Sequence, residues 1–266
     1  MTTGIDVSEH NGVINWEEVK KHIGFAMIRV GYGKNHLDKQ FTRNASECER
    51  LGIPYGFYWF SYACSENDAR LEAAYLIGAI SGFKPKYPVA YDFEEDSYNY
   101  AFANAKEEVV PAKFAKTFLE QIKIAGYKPM LYTNYSCLNK WFDAPYYLGD
   151  YDLWFASWGI NQPQMACQIW QKSANGRIDG INTVVDLNIC FKDYLTNDTE
   201  KNENKEEKKD AFKEEWLKDK HIEKYRKVVT QVIAGAWGNG NKRINALSNV
   251  GYDPELVQAL VNAVLR

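Results

Sequence analysis

The sequence predicts an α/β fold: an abbreviated TIM-like (β/α)5β3 barrel followed by a small C-terminal three-helix module. Three observations support this prediction. Five strand patterns alternate with helical patterns, three further strand patterns follow without helices, and a densely charged segment separates these from a second apolar region. The predicted units are a barrel over residues 1–194, a charged linker over 195–224 and a helical module over 225–266.

Each of the first five predicted strands is followed by a helix. The third helix begins after the capping residue Ser65, and the fourth begins at Pro111 and ends at Gly126. The predicted pairs are 4–7 with 16–22, 25–30 with 41–51, 55–60 with 65–80, 89–93 with 111–126, and 130–133 with 136–142.

Three more strand patterns complete the predicted barrel without intervening helices. They cover residues 153–156, 168–171 and 183–187, and the segments between them are rich in Gly, Asn, Gln and Pro. A full eightfold βα barrel usually takes about 250 residues. Because the barrel region is shorter than that, we expect helices on the first five strands only.

The end of the barrel region is marked by a change in composition. Between Asn197 and Lys224 about 18 of 28 residues are Asp, Glu, Lys or Arg, and neither Pro nor Gly occurs. This composition predicts a solvated, partly helical linker. Three short helical patterns follow, and the last has Asp253 as its N-cap and Pro254 at its first position.

Composition argues against several classes of function. A formal net charge of −3 gives no basic field for nucleic acid, and no apolar run approaches the roughly 18 residues that a membrane helix needs. The first residues have neither the basic nor the apolar part of an export signal, so we expect synthesis in the cytoplasm without a signal peptide. The Gly-Tyr-Gly-Lys segment 31–34 is too short for a nucleotide-binding fingerprint, and no cofactor is expected.

Carboxylates stand where strands end, and the carboxyl ends of parallel strands form the barrel mouth that carries active sites. Asp6 ends the first strand, Asp92 and Glu94 end the fourth, and Asp186 ends the eighth. Side chains alternate along a strand, so Asp92 and Glu94 both enter the mouth if Ala90 fills the barrel beneath them. Ionising both of two adjacent carboxyl groups is unfavourable because their negative charges repel, so the pKa of one of them is raised. The pattern therefore predicts a glycosidase site, with a general acid beside a carboxylate that stabilises positive charge.

Acidic strand ends also occur as solvated loops or as cation sites. None of the four histidines lies near the fourth or eighth strand, which argues against a transition metal but leaves an all-oxygen Mg²⁺ or Ca²⁺ site open. The first and last strands are neighbours in a closed barrel, so Asp6 and Asp186 are expected to form a second acidic pair. We expect no clustered basic partner for these acids and no resident metal.

Aromatic residues near the predicted strand ends offer flat surfaces for sugar rings. The chain has 8 Trp and 18 Tyr, which is more than core packing usually takes. For any single ring core packing is the alternative, so this prediction depends on the group as a whole. The predicted substrate-binding residues are Tyr58, Trp59, Tyr62, Tyr132, Trp154, Trp158, Gln168 and Trp170.

Seven short motifs occur in order along residues 4–194. They are Asp6-Val7-Ser8 with Asn11-Gly12, Tyr55-Gly56-Phe57-Tyr58, Asp92-Phe93-Glu94, Leu131-Tyr132-Thr133-Asn134, Leu153-Trp154-Phe155-Ala156, Gln168-Ile169-Trp170-Gln171 and Val185-Asp186-Leu187-Asn188. Together they resemble the strand motifs of glycoside hydrolase family 25, the lysozymes of the muramidase type. The resemblance implies a β5α5β3 barrel that hydrolyses the β-1,4 bond from N-acetylmuramic acid to N-acetylglucosamine in peptidoglycan. Trp59 and Trp170 depart from it, since His and Tyr are commoner there.

The resemblance also implies a role for each carboxylate. Glu94 is the implied general acid/base, Asp92 and Asp186 are implied to stabilise charge or position the substrate's acetamido group, and Asp6 is implied to support them. Two alternatives remain at this point. A non-catalytic glycan-binding barrel would be expected to lack a catalytic carboxylate, and a chitinase-like glycosidase would carry a longer D-x-x-D-x-D-x-E run.

The C-terminal region resembles the type-seven cell-wall-binding repeat of phage lysozymes, present once, over residues 232–240, 251–253, 257–258 and 261–262. A helical brace for the barrel and a helix-turn-helix DNA binder are the alternatives. The resemblance implies a phage or prophage endolysin whose partner is bacterial peptidoglycan, which acts on the wall after release from the cell. Homo-oligomerisation through this region is a further expectation. The implied wall-binding residues are Trp237, Asn239, Tyr252 and Asp253.

Overall fold

Nine strands form one sheet in the structure, a computed structural model that describes residues 1–142, 151–196, 223–233 and 236–252 together with Pro254, Val257, Gln258, Leu260 and Val261. The strands are β1 Thr2–Val7, β2 Phe25–Tyr32, β3 His36–Leu37, β4 Tyr55–Phe60, β5 Val89–Asp92, β6 Pro129–Asn134, β7 Asp152–Ala156, β8 Ile169–Gly176 and β9 Val185–Cys190. Eight of them close into a barrel in the order β1-β2-β4-β5-β6-β7-β8-β9, because β9 pairs back with β1. β3 pairs with β2 outside this ring. The predicted eight-stranded barrel is therefore confirmed.

Helices cover the first part of the barrel, as predicted. They are α1 Trp16–Val19, α2 Phe41–Leu51, α3 Glu66–Ile80, α4 Glu95–Asn104, α5 Pro111–Ile124 and α6 Tyr135–Trp141. Between residues 151 and 196 the structure has no α-helix, so β7, β8 and β9 follow one another through loops. The sequence did not predict α4, which follows β5 directly and stands before the predicted helix α5.

The two faces of the strands are filled by different residues. Inward side chains such as Met27, Tyr58 and Ala90 fill the barrel, and outward ones such as Phe57 and Tyr91 pack in the layer between the strands and the helices. This alternation is what a closed sheet of period-two strands requires. Ala90 does lie inside the barrel beneath the mouth.

The last strand runs against its neighbours. β9 pairs antiparallel with both β1 and β8, and it begins at Val185 rather than at residue 183. Asp186 therefore lies near the start of its strand, whereas the sequence predicted it at the end. It still reaches the mouth, because the reversed direction of β9 brings its first residues to the edge where the parallel strands finish.

The C-terminal region contains α7 Glu223–Ile233 and α8 Asn241–Asn249, followed by helical positions at Pro254, Val257, Gln258, Leu260 and Val261. Leu247, Val257 and Leu260 are buried, as the predicted helical module requires. Residues 197–222, which hold most of the predicted linker, lie outside the described residues. Among the helices in the described part of the chain, none is long and apolar enough to span a membrane.

Candidate active site

Four acidic side chains meet at the barrel mouth. Asp6 comes from β1, Asp92 from the last position of β5, and Asp186 from β9. Glu94 follows β5 by two residues and is the N-cap of α4. Burial, followed by the charges of all four carboxyl groups, raises the pKa of Tyr132 well above its usual value. The four acids are therefore all close enough to Tyr132 for their charges to act on its hydroxyl group.

Asp6 is fixed by two buried amides. Gln171 Nε2 donates to Asp6 Oδ2 at 3.1 Å, and Asn188 Nδ2 donates to the same oxygen at 2.7 Å. Burial raises the pKa of Asp6 well above its usual value, the charge of Asp186 raises it further, and the two amides oppose both effects. Asp6 and Asp186 are also in hydrogen-bond contact, and burial raises the pKa of Asp186 as well.

Sequence reasoning did not identify these amides as site residues. Gln171 is the last residue of the motif that begins at Gln168, and Asn188 stands two residues after Asp186 on the same strand face. The alternation of faces was the available signal. It places a polar residue inward at the mouth in each of these strands.

Asp92 and Glu94 form the second acidic pair and are also in hydrogen-bond contact. Burial, and then the charge of Glu94, raises the pKa of Asp92 well above its usual value. Burial raises the pKa of Glu94 to about 7, with Asp96 and Asp186 adding to the effect. A carboxyl group with a pKa of about 7 is still about half protonated at pH 7, which keeps a general acid available near neutral pH.

One buried cation, Arg29, lies near the acids, although its hydrogen bonds go to other carboxyl groups. Arg29 on β2 donates from Nε to Asp38 Oδ2 at 2.9 Å and from Nη2 to Glu9 Oε1 at 3.3 Å. Its charge opposes the rise that burial and Glu94 impose on the pKa of Asp92. Arg29 lies within an apolar run, and only the register of the barrel shows that its side chain points inward to the mouth.

Four predicted aromatic residues lie together beside Asp6. Tyr132 packs edge-on against Trp154 with ring centroids 4.6 Å apart, and Tyr58 packs on the same indole at 5.7 Å. Gln171 Oε1 accepts hydrogen bonds from Tyr132 Oη and Trp158 Nε1, both at 3.1 Å. The first three rings are buried, whereas Trp158 is 57% exposed and can offer a ring face to a ligand.

Tyr62 stands just after β4 in a second group of rings. Its ring lies 5.0 Å from that of Tyr100 on α4, 5.2 Å from that of Phe60 and 6.5 Å from that of Tyr32. Burial, followed by the charge of Asp96, raises the pKa of Tyr62. This half-buried tyrosine therefore lies near the acidic end of α4.

Three predicted substrate-binding residues are not brought to this site. Trp59 is fully buried on the outer face of β4, among the residues that pack beneath the helices. Gln168 precedes β8 at the opposite end of the barrel, where its Oε1 accepts a backbone N–H of β7 at 2.7 Å. Trp170 lies on the face of β8 opposite to Gln171, and its Nε1 donates to the Ser157 carbonyl at 2.8 Å.

The predicted wall-binding residues lie after α7. Trp237 packs edge-on against Tyr252 with centroids 6.3 Å apart. Asn239 is exposed, and its Oδ1 accepts a hydrogen bond from Arg243 Nη2 at 2.8 Å. Asp253 lies outside the described residues.

Within the described residues, one group of three side chains has the proximity expected of metal ligands. It consists of Glu18, His22 and Asp179, and it contains none of the four carboxylates at the mouth. Glu18 is also ion-paired with Lys21 at 2.6 Å, which competes for its oxygen.

Comparison with protein families gives two matches along the chain. Residues 5–181 match the model of glycosyl hydrolases family 25, and residues 226–265 match the CW_7 repeat. The chain is similar to the lysozyme of Streptococcus phage Cp-7, with 27% identity over 273 residues, 98% of this chain and 69% of that protein. It is also 27% identical to lysozyme M1 of Streptomyces globisporus over 199 residues, 70% of this chain and 66% of that protein.

Solved structures show the same barrel. The catalytic domain of endolysin ply40 from bacteriophage P40 of Listeria monocytogenes aligns with a TM-score of 0.64 and 25% identity, covering 73% of this chain and 95% of that one. The modular autolysin LytC from Streptococcus pneumoniae aligns with a TM-score of 0.61 and 28% identity. That alignment covers 70% of this chain and 46% of LytC, so the similarity spans less than half of the autolysin.

Proposed function

This chain belongs to glycosyl hydrolases family 25, and from that premise we propose that it cleaves the β-1,4 bond between N-acetylmuramic acid and N-acetylglucosamine in peptidoglycan. The observation that carries the proposal is the pair Asp92–Glu94 at the mouth, in which burial raises the pKa of Glu94 to about 7. The similarity to a phage lysozyme over 98% of the chain supports the same substrate.

In the proposed mechanism Glu94 protonates the oxygen of the leaving sugar. Its position at the start of α4 leaves it less deeply enclosed than Asp92, which is 5% exposed at the end of β5. Asp92 and Asp186 stabilise the positive charge that develops on the sugar ring or position its acetamido group. Asp6 holds Asp186 in place through their contact and is itself held by Gln171 and Asn188.

We also propose that the reaction retains the anomeric configuration. An inverting enzyme needs roughly 6.5–9.5 Å between its carboxyl groups, to admit a water between acid and base. Asp92 and Glu94 are in direct contact, which leaves no room for that water. The nucleophile would then be the substrate's acetamido carbonyl or an aspartate.

The C-terminal repeat is proposed to bind the same wall. Its match to the CW_7 repeat supports this role, as does the similarity of the whole chain to the lysozyme of phage Cp-7. Homo-oligomerisation through this region, and release from the cytoplasm before action on the wall, stay predictions. The first is tested by light scattering of the purified protein and the second by fractionation of producing cells.

Mass spectrometry of purified walls after digestion tests the main proposal. We expect new reducing ends on N-acetylmuramic acid, with peptide cross-links and amide bonds intact. New reducing ends on N-acetylglucosamine would identify a glucosaminidase, and freed stem peptides would identify an amidase. Binding to walls without any new end would mean that the barrel binds glycans but does not cut them.

A further inference from the structure

Glu72 is a buried acid that the proposed mechanism does not use. It lies on α3 and is fully buried, between this helix and the barrel. Its Oε2 is hydrogen-bonded to Ser61 Oγ at 2.6 Å, and its Oε1 accepts the Tyr62 N–H at 2.9 Å. Both carboxyl oxygens therefore bind the two residues that follow β4, here called the 61–62 segment.

The 61–62 segment is in turn attached to the strand that carries Asp92. The Ser61 N–H donates to the Asp92 carbonyl at 2.8 Å, and Ser61 Oγ shares a hydrogen bond with Tyr91 Oη at 2.9 Å. Two consecutive residues of β5 are thus held through Ser61. A shift of Ser61 would move the backbone from which the Asp92 carboxyl group extends.

The same segment reaches the helix that follows Glu94. The ring of Tyr62 packs edge-on against Tyr100 on α4, with centroids 5.0 Å apart. Glu94 is the N-cap of α4, so a tilt of that helix would carry the Glu94 carboxyl group with it. Glu72 is therefore connected to both members of the Asp92–Glu94 pair, although it touches neither.

We propose that Glu72 is a positioning residue that holds Asp92 and Glu94 in their reactive geometry through the 61–62 segment. The proposal rests on the proposed hydrolysis at this pair. Misplacement of reacting groups by about 1 Å can cost on the order of 10²-fold in rate, so a loosened segment has a measurable effect.

Both hydrogen bonds of Glu72 run from the 61–62 segment to its carboxyl oxygens, and burial makes this carboxyl group hold a proton to higher pH than an exposed glutamate does. Burial raises the pKa of Glu72 to about 8. The hydrogen bonds from Ser61 and Tyr62 lower this pKa, the charge of Asp68 raises it and the charge of Lys34 lowers it. A glutamine at this position can replace the neutral acid. Its Oε1 accepts the Tyr62 N–H and its Nε2 donates to Ser61 Oγ, whose hydroxyl then turns to Tyr91.

The experiment compares Glu72→Ala, Glu72→Gln and a matched control in the full-length protein. Asn44→Ala serves as the control because Asn44 is also fully buried, accepts the Trp16 indole N–H at 3.0 Å, and lies on α2 outside the barrel. For each variant kcat and KM are measured on a soluble muropeptide, and the unfolding midpoint is measured in urea. Wild-type protein is assayed first, because failure to release N-acetylmuramic acid ends there would refute the proposed function and not this inference.

We expect Glu72→Ala to lower kcat at least 10-fold and to leave KM within about twofold of wild type. Glu72→Gln should restore kcat to within about threefold of wild type. Asn44→Ala should lose stability without losing kcat. A wild-type kcat in folded Glu72→Ala, or equal loss of kcat in the alanine and glutamine variants, would overturn the proposal. If Glu72→Ala does not fold, Ser61→Ala replaces it, since it removes the connection to Tyr91 and leaves the Tyr62 bond. An unchanged kcat in Ser61→Ala would likewise overturn it.

Discussion

Asp6 and Asp186 lie directly opposite each other in the antiparallel pairing of β1 and β9. In this register Asn188, two residues further along β9, also faces the barrel interior and donates to Asp6 at 2.7 Å. The closing strand therefore supplies both an acidic partner and an amide to the same carboxyl group. Any change in the pairing of β9 would alter the charge and the hydrogen bonding of Asp6 together.

The first prediction concerns Glu94. Glu94→Gln keeps the shape of the side chain but removes the proton that the leaving oxygen needs. We expect kcat on a soluble muropeptide to fall by roughly 10²- to 10⁴-fold, the contribution of general acid catalysis, while the unfolding free energy stays near that of wild type.

Glu95→Gln is the matched control for this change. Glu95 is the next residue, is exposed and pairs with Lys140 at the surface at 3.2 Å. The Glu95→Gln variant should retain wild-type activity, because surface ion pairs of this kind contribute little to stability. Near-full activity in Glu94→Gln would remove Glu94 from the role of acid.

The second prediction concerns pH. Because Glu94 has a pKa of about 7 and must be protonated to act, kcat/KM should fall as pH rises above about 7. After burial, the charge of Asp96 is the next cause of the raised pKa. Asp96→Asn should therefore move this fall in kcat/KM to lower pH, whereas Glu95→Gln should leave its position unchanged. An identical fall in wild type and Asp96→Asn would contradict the assignment of Glu94 as the titrating acid.

The third prediction concerns stereochemistry. Direct contact between Asp92 and Glu94 excludes a water between acid and base, which favours retention. Proton NMR of fresh product should show the β-anomer first, with the α-anomer growing in only by mutarotation. An initial α-anomer from the β-linked substrate would mean inversion.

The fourth prediction separates the two modules. A chain that ends near residue 196 should fold, cleave soluble muropeptides as the full chain does, and bind sedimented walls poorly. Residues 225–266 fused to a fluorescent reporter should sediment with walls without cutting them, because tethering raises the local substrate concentration and leaves the chemistry unchanged. Loss of soluble activity in the shortened chain would mean that the tail braces the barrel. Salt-sensitive binding of the tail to duplex DNA would mean a nucleic-acid module.

The fifth prediction concerns stability and Glu72. Its pKa is about 8 in the folded protein against an unperturbed 4.5, so between these values the folded chain keeps a proton that the unfolded chain releases. Its stabilising contribution is complete below pH 4.5 and is lost as pH rises towards 8, by up to about 1.4 kcal/mol per pH unit. Urea unfolding at pH 5, 6, 7 and 8 should show a shallower decline in Glu72→Gln than in wild type. Parallel curves would contradict the raised pKa.

The barrel was largely predictable from the sequence because each strand is a short local pattern and its helices carry clear start and stop residues. The direction of β9 was not, since nothing in residues 183–187 distinguishes a parallel from an antiparallel strand. Asp186 was consequently placed at the correct edge of the barrel for an incorrect reason. The position of α4 was hidden as well, because its acidic and aromatic sequence follows Glu94 without a break.

The site residues divide along the same line. Carboxylates at strand ends were visible as sequence motifs. Whether Trp59, Trp170 and Gln171 point into or out of the barrel was not visible, because a change of one residue in the strand register reverses the face to which a side chain points. Arg29 escaped notice because it stands within an otherwise apolar strand, and Glu72 because it is one of several charged residues along α3. Their partners are separated from them along the chain, and only the folded structure brings them together.

The hydrogen bond from Asn188 to Asp6 joins residues 182 positions apart. At a synthesis rate of about 5–20 residues per second, roughly 10 to 40 s pass between the emergence of these two residues from the ribosome. For most of that interval Asp6 has neither its amide donors nor its acidic partner, and the barrel has an unpaired edge. We therefore expect a nascent or stalled chain that stops before β9 to have no assembled catalytic centre, so that the hydrolase becomes active only after its whole barrel has been translated.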